Sequence, residues 1–173
     1  SVIQPQMFIT NTSQIITNAT ITKSPITNHA GKNKKTIIIT NYSLQNSAQQ
    51  YAAYRDAYIV YTNDIYDQFG YGIKNHPLSI RNFLSYTLNN WSQKPEFLII
   101  IGKGISADKT RFNATNFNSC IVPPIGVPAS DVLLGCKTIN GSPIVSSVAI
   151  GRIPATQNTE VTNYLEKVQM FER

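Results

Sequence analysis

This sequence predicts an α/β fold, a three-layer sandwich in which a mainly parallel sheet carries helices on both faces. Three observations predict it. The runs "KTIIIT" (Lys35 to Thr40), "AYIVYT" (Ala57 to Thr62) and "PEFLIIIG" (Pro95 to Gly102) are apolar without alternation, as strands buried on both faces are. Segments with apolar residues at helical spacing lie between them. The connections are short, so the order strand, helix, strand, helix, strand reads as parallel crossovers, which are right-handed by rule.

Residues 1 to 34 are rich in Thr, Asn and Ile and carry little charge. They read as a linker or the fringe of a preceding domain, with one short strand hinted at in "ATITKSPIT" and limited by Pro25 to an edge or an end. Two sequons, Asn11-Thr12-Ser13 and Asn18-Ala19-Thr20, matter only where the source glycosylates. The first strand opens the folded unit, residues 35–173. Leu44 to Arg55 then forms a helix with Leu44, Ala48, Tyr51 and Ala52 on one face and Ser43 as its N-cap.

A turn with Gly70 and Gly72 follows the second strand. It leads to the clearest helix, "PLSIRNFLSYTLNNW", whose Ile80, Phe83, Leu84, Thr87, Leu88 and Trp91 share a face, with Pro77 in its first turn. After the third strand, Lys103 to Asn118 is polar and reads as loop. "CIVPPIGVP", "DVLLGC" and "IVSSVAIGR" read as short strands, the last two joined by a hairpin at "INGS" (Ile139 to Ser142). The final helix, from about Asn158 to Arg173, sets Val161, Tyr164, Leu165, Val168 and Phe171 on one face. Thr156 is its candidate cap, and Glu160 complements the positive end of the dipole.

Composition narrows the function. The chain has 173 residues, of which 42% are hydrophobic and 14% charged, which is globular and long enough for a proper core. No apolar run is long enough to cross a bilayer. The chain opens at Ser1 with no signal peptide, which reads as a mature or excised segment. Its net charge of +6 raises nucleic acid as a partner. Only Lys32, Lys34 and Lys35 cluster, however, and no aromatics interleave with them as a stacking platform requires, so nucleic acid is not expected.

Candidate chemistry is sparse. Cys120 and Cys136 are the only cysteines; they pair with each other or remain two buried thiols, and no nearby histidine pair points to zinc. His76, before Pro77, reads as a capping or surface residue, and His29 as incidental. Asp131 is the best-placed carboxylate and the one candidate for substrate binding, against the alternative of a turn-stabilising Asp. "GKGISADKT" (Gly102 to Thr110) has the wrong order for a phosphate loop and lacks the third glycine of a dinucleotide fingerprint. No Ser-His-Asp or Cys-His set assembles, so no catalytic residue and no metal site is assigned to this chain.

Four segments, in order, resemble the first half of the catalytic domain in the gingipain family of caspase-like cysteine peptidases. "TNDIYDQFGYGIKNHPLSIRNFLSYTLNNW" resembles the family's Ile-Tyr-Asp-x-Phe-x-x-Gly turn and the helix carrying Ile-Arg-x-Phe. "KPEFLIIIGKG" resembles its central strand ending in Gly-Asp-Gly, and "SDVLLG" its Asp-x-x-Tyr-Gly element. "VAIGRIPATQNTEVTNYLEKVQMFER" resembles Gly-Arg-Ile/Phe-Pro and the helix after it. The match runs from about Lys35 to Arg173.

The resemblance implies a caspase-like half, the N-terminal subdomain of a cysteine-type endopeptidase. The histidine after a Gly-His-Gly-like strand end and the nucleophilic cysteine would belong to a second subdomain, beyond Arg173. It implies a protein or peptide substrate, the C-terminal half of the same domain as partner, and a secreted or bacterial cell-surface (outer-membrane) setting. Relatives include secreted proteases and the sortase-like component of type IX secretion. Two departures stand out. Lys103 occupies the family's Asp position, which argues against a calcium site there. Leu134 occupies its Tyr position. Other readings of the same pattern are a non-catalytic binding or structural module, or a flavodoxin-like ligand binder.

Overall fold

The computed structural model describes residues 23–24, 26–136 and 145–173. Its centre is a four-stranded sheet in the order β2-β1-β3-β4, formed by β1 (Thr36–Thr40), β2 (Tyr58–Tyr61), β3 (Phe97–Ile101) and β4 (Ala149–Ile153). All three pairings are parallel: Ile38 lies beside Ile59 and Ile99, and Ile99 beside Gly151. The unalternating Ile run of β1 follows from this, because Ile37 and Ile39 face one layer of helices and Ile38 faces the other. All three are fully buried, each worth about 1.5–3 kcal/mol of transfer free energy.

On one face, Leu44 just before α1 (Gln45–Arg55), Ala48 and Tyr51 within it, and Val161 and Leu165 of α6 (Asn158–Phe171) pack against Ile38, Ile101 and Ile153. On the other, α2 (Thr62–Phe69) and α3 (Pro77–Asn90) supply Ile65, Ile80, Phe83 and Leu84, and Trp91 closes the cluster over Ile37, Ile39, Leu98 and Ile100. The expected α/β three-layer sandwich is present, with an all-parallel sheet among the described residues.

Local chemistry moved several boundaries. The second strand stops at Tyr61 and α2 starts at once, where a turn was expected. Asn63 and Asp64 look like turn residues, but Asp64 sits in the first turn of α2, where the dipole favours an acid, and Ile65 and Tyr66 fall on its buried face. Asn41 displaces Ser43 as the cap: its Oδ1 accepts from the Ser43 amide and starts a 3₁₀ turn, Tyr42–Leu44, that feeds α1. Gln157, not Thr156, caps α6, in a capping box with Glu160; the Glu160 carboxylate accepts from the amides of Thr156 and Gln157. The buried face of α6 is narrower than its periodicity, since Val161 and Leu165 are buried while Tyr164 and Phe171 are exposed.

The segment read as loop after β3 contains two short helices, α4 (Ala107–Thr110) and α5 (Ala114–Ser119), the second capped by Asn113. "CIVPPIGVP" is not a strand: its prolines remove ladder donors, leaving one antiparallel bridge between Ile125 and Ser130. "DVLLGC" forms a 3₁₀ turn, Val132–Leu134, because Leu134 must turn into the α3 layer. Cys136 then bridges antiparallel to Ser146. The "INGS" turn, both N-terminal sequons and most of the "ATITKSPIT" strand lie outside the described residues.

Candidate functional site

The order β2-β1-β3-β4 reverses between β1 and β3: the chain leaves β1 for one flank and returns to build the other. Open parallel sheets form their ligand crevices at the carboxyl ends of strands at such a reversal. Here that point is drawn together by Thr40, fully buried, whose Oγ1 donates to the Ile101 carbonyl at 2.8 Å. Beyond it the chain turns through Gly102 at φ +142°, a region side chains rarely adopt; a Cβ there would lie 2.6 Å from Ile121 Cγ2. The Lys103 carbonyl accepts from the amides of Ile121 and Val122, and its own amide donates to Ala155.

Arg152, on β4, organises this tip. Its Nε and Nη2 donate to the two carboxylate oxygens of Asp131 at 2.7 and 2.6 Å, a bidentate pair. Its Nη1 donates to the carbonyls of Gly102 at 2.7 Å and Val122 at 3.0 Å. The Arg152 side chain is 13% exposed and that of Asp131 25%. One guanidinium therefore ties β4, the loop after β3 and the turn before Val132–Leu134 into one body. Asp131 is engaged in this clamp, and its partner was the residue that the motif Gly151-Arg152-Ile153-Pro154 had put in view without a role.

Beside the tip, a cleft of about 360 Å³ opens over the ends of β1 and β2, lined by Asn41, Tyr42, Asn63, Lys74, Asn75 and Cys120 among others. Tyr42 stacks on Tyr61 with ring centroids 4.1 Å apart and donates to Asp64 at 3.1 Å. Burial, and then the Asp64 charge, raise its phenol above the ordinary value. Asn75, held at φ +58°, donates to the Phe117 carbonyl and ties the α2–α3 turn to α5. The cleft can hydrogen-bond a polar chain through amides and a phenol, but it holds no paired nucleophile and base.

Both cysteines are free and buried. The Cys120 thiol meets the Ile105 backbone, and burial pushes its pKa up, away from the thiolate a nucleophile needs. The Cys136 thiol donates to the Val132 carbonyl. The imidazoles are committed elsewhere. His76 caps α3, its Nδ1 accepting from the Leu78 amide. His29 is not incidental: it is 4% exposed, wedged between Tyr58, Phe69 and Phe83, with Nδ1 2.9 Å from the Tyr58 hydroxyl. Sequence reasoning missed it because its partners come from three distant elements.

Among the described residues no group of three or more His, Cys, Asp or Glu is placed to hold a metal ion. The lysine cluster is partly neutralised, Lys34 by Asp56 and Lys35 by Glu96, while Lys32 lies over the Tyr58 ring. No described helix is long and apolar enough to cross a membrane.

Comparison with known proteins follows the same lines. A family model described as "Peptidase family C25" matches residues 29–173. No curated protein sequence shows significant similarity. The fold is similar to "Crystal structure of dimeric latent PorU from Porphyromonas gingivalis", with a TM-score of 0.57 and 16% identity over 78% of this chain. It is also similar to a chain titled "Structure of Protease", with a TM-score of 0.56 and 15% identity over 82%. The chain spans only 15% and 29% of the length of those two structures.

Proposed function

This chain belongs to Peptidase family C25, and from that premise we propose that it is the N-terminal subdomain of a secreted or cell-surface cysteine endopeptidase whose catalytic histidine and cysteine lie beyond Arg173. The observation that carries the proposal is the pairing of a family-wide match with side chains that are all committed to structure. Asp131 serves Arg152, His76 caps a helix, His29 fills the core and the Cys120 thiol is buried against the Ile105 backbone. What remains is a rigid platform at the carboxyl ends of the strands. The outer edge of β4 has no partner strand among the described residues, and Met170 and Phe171 are exposed on the closing helix, α6. A companion half adding to that edge satisfies both features.

In the complete domain, the imidazole would raise the thiolate fraction of the cysteine. The thiolate would attack the substrate carbonyl while backbone amides take up the oxyanion charge. The amine leaves with a proton from the imidazolium, and water then cleaves the thioester. The folded unit contributing to this is residues 35–173, with residues 26–34 packed against it through His29; substrates are proteins or peptides. A sortase-like role in type IX secretion is one form of the same chemistry.

One observation favours a second reading, a non-catalytic module on the same fold. By the motif resemblance, Lys103 and Leu134 stand where the family has Asp and Tyr, and Leu134 is fully buried in the α3 layer with no hydroxyl to offer. The reading frame downstream of Arg173 decides between the two. A Gly-His-Gly strand end followed by an apolar strand ending in Cys supports the peptidase. A continuation with neither supports the module.

A further inference from the structure

We propose that His29 is an acid-sensitive latch: its uncharged imidazole fastens residues 26–34 over the β2–α2–α3 layer, and protonation releases them. The segment lies on this layer through few but specific contacts. The His29 carbonyl accepts from Trp91 Nε1 at 2.7 Å, and the Thr27 carbonyl from Gln68 Nε2 at 3.1 Å. Thr27 and Ser24 donate to Asp64 and Asp67 on α2. The imidazole itself is the only large group the segment drives into the core. It meets Phe83 edge-on at 5.1 Å between centroids and lies 5.8 Å from Phe69 and 6.1 Å from Tyr58.

That environment is built for a neutral ring. Nδ1 reaches the Tyr58 hydroxyl, but Nε2 is buried with no hydrogen-bond partner. An imidazolium would place a charged N–H there among aromatic carbon, with the Gln68 amide, already tied to the Thr27 carbonyl, as the polar side chain within reach. The groups facing it come from every packed element: Lys32 from its own segment, Tyr58 from β2, Asp64, Asp67 and Gln68 from α2, and Tyr86 from α3. Gln68 and Asp64 favour the charged ring and Lys32 opposes it, but burial is the largest influence, so the pKa falls below its ordinary 6.5. Asp64 and Asp67 already accept from Thr27 and Ser24.

A lowered folded-state pKa means the open segment binds the proton more readily. The latch is therefore fully closed above about pH 6.5 and loses hold as pH falls below it, by up to about tenfold per pH unit until the closed form also protonates. Release uncovers Phe83 and leaves the Trp91 indole without its acceptor, so the change alters the surface presented by the whole α3 layer. None of this depends on the peptidase reading.

Hydrogen–deuterium exchange of the full chain at about pH 7.5 and about pH 5, corrected for intrinsic rates, tests it. The Trp91 indole N–H, which donates to the His29 carbonyl, should lose protection by up to about thirtyfold at the lower pH, while the amides of β1 keep theirs. In H29Q, which cannot titrate, the ratio of protection at the two pH values should be near one. Unchanged wild-type protection, or the same loss in H29Q, overturns the latch. A measurement without a variant runs beside it: the His29 imidazole should titrate at lower pH in the folded chain than in urea, and equal midpoints reject the proposal.

Discussion

Replacing Arg152 with methionine removes four hydrogen bonds at once and leaves the Asp131 carboxylate three-quarters buried with no counter-charge. Breaking a largely buried pair from one side costs about 3–5 kcal/mol, because the orphaned charge stays desolvated. For a chain of this size each kcal/mol lowers Tm by about 2–4 °C, so R152M should melt roughly 6–20 °C below the parent. R152K should fall between the two, since one ammonium cannot serve a carboxylate and two carbonyls in the geometry of the guanidinium fork. The decisive comparison is a double-mutant cycle with D131N by urea unfolding. R152M/D131N should be more stable than the sum of the single losses allows, by about 0.5–3 kcal/mol. An R152M loss under about 1 kcal/mol, or strict additivity, would refute the claim that this pair holds the tip together.

Gly102→Ala forces a side chain into φ +142° and against Ile121; it should cost about 1–3 kcal/mol in urea unfolding. Phe83→Ala empties the centre of the α3 layer and should cost about 3–5 kcal/mol by the same assay. The Glu160 carboxyl is held below its ordinary 4.5 by the amides of Thr156 and Gln157. Its support for the start of α6 is thus present above that value and lost as pH falls below it, which exchange of the Thr156 and Gln157 amides would show and E160Q would abolish. The 173-residue chain, with the outer edge of β4 unpaired among the described residues and Phe171 exposed, should self-associate with rising concentration; a sedimentation profile of pure monomer throughout would count against that.

The sheet was readable because burial on both faces leaves a simple record: β1 and β3 need Ile at successive positions, whichever way each points. The helices α1, α3 and α6 were readable from their periodicity. The region between β3 and β4 was not, for physical reasons. Its residues are satisfied by non-local partners, with Leu134 packed under α3 and the carbonyls of Gly102 and Val122 capped by Arg152. Prolines also break the ladders that short apolar runs imitate. Asp131 stood out in the sequence as a substrate-binding candidate, yet its partner lies 21 positions away in sequence, a distance that no local pattern encodes. His29 shows the same limit, because a histidine in a polar segment gives no sign that three aromatic rings await it. The free state of Cys120 and Cys136 likewise became clear only from their separate backbone partners.

The central claim is that the reacting groups of this peptidase fold are supplied by polypeptide following Arg173. A thiol-reactive peptidyl ketone, mapped by mass spectrometry on the protein expressed from the complete reading frame, tests it most directly. The label should fall on a cysteine after Arg173 and be absent from the 173-residue chain alone. Covalent capture at Cys120 or Cys136, accompanied by peptide cleavage that alanine at that position abolishes, would contradict it.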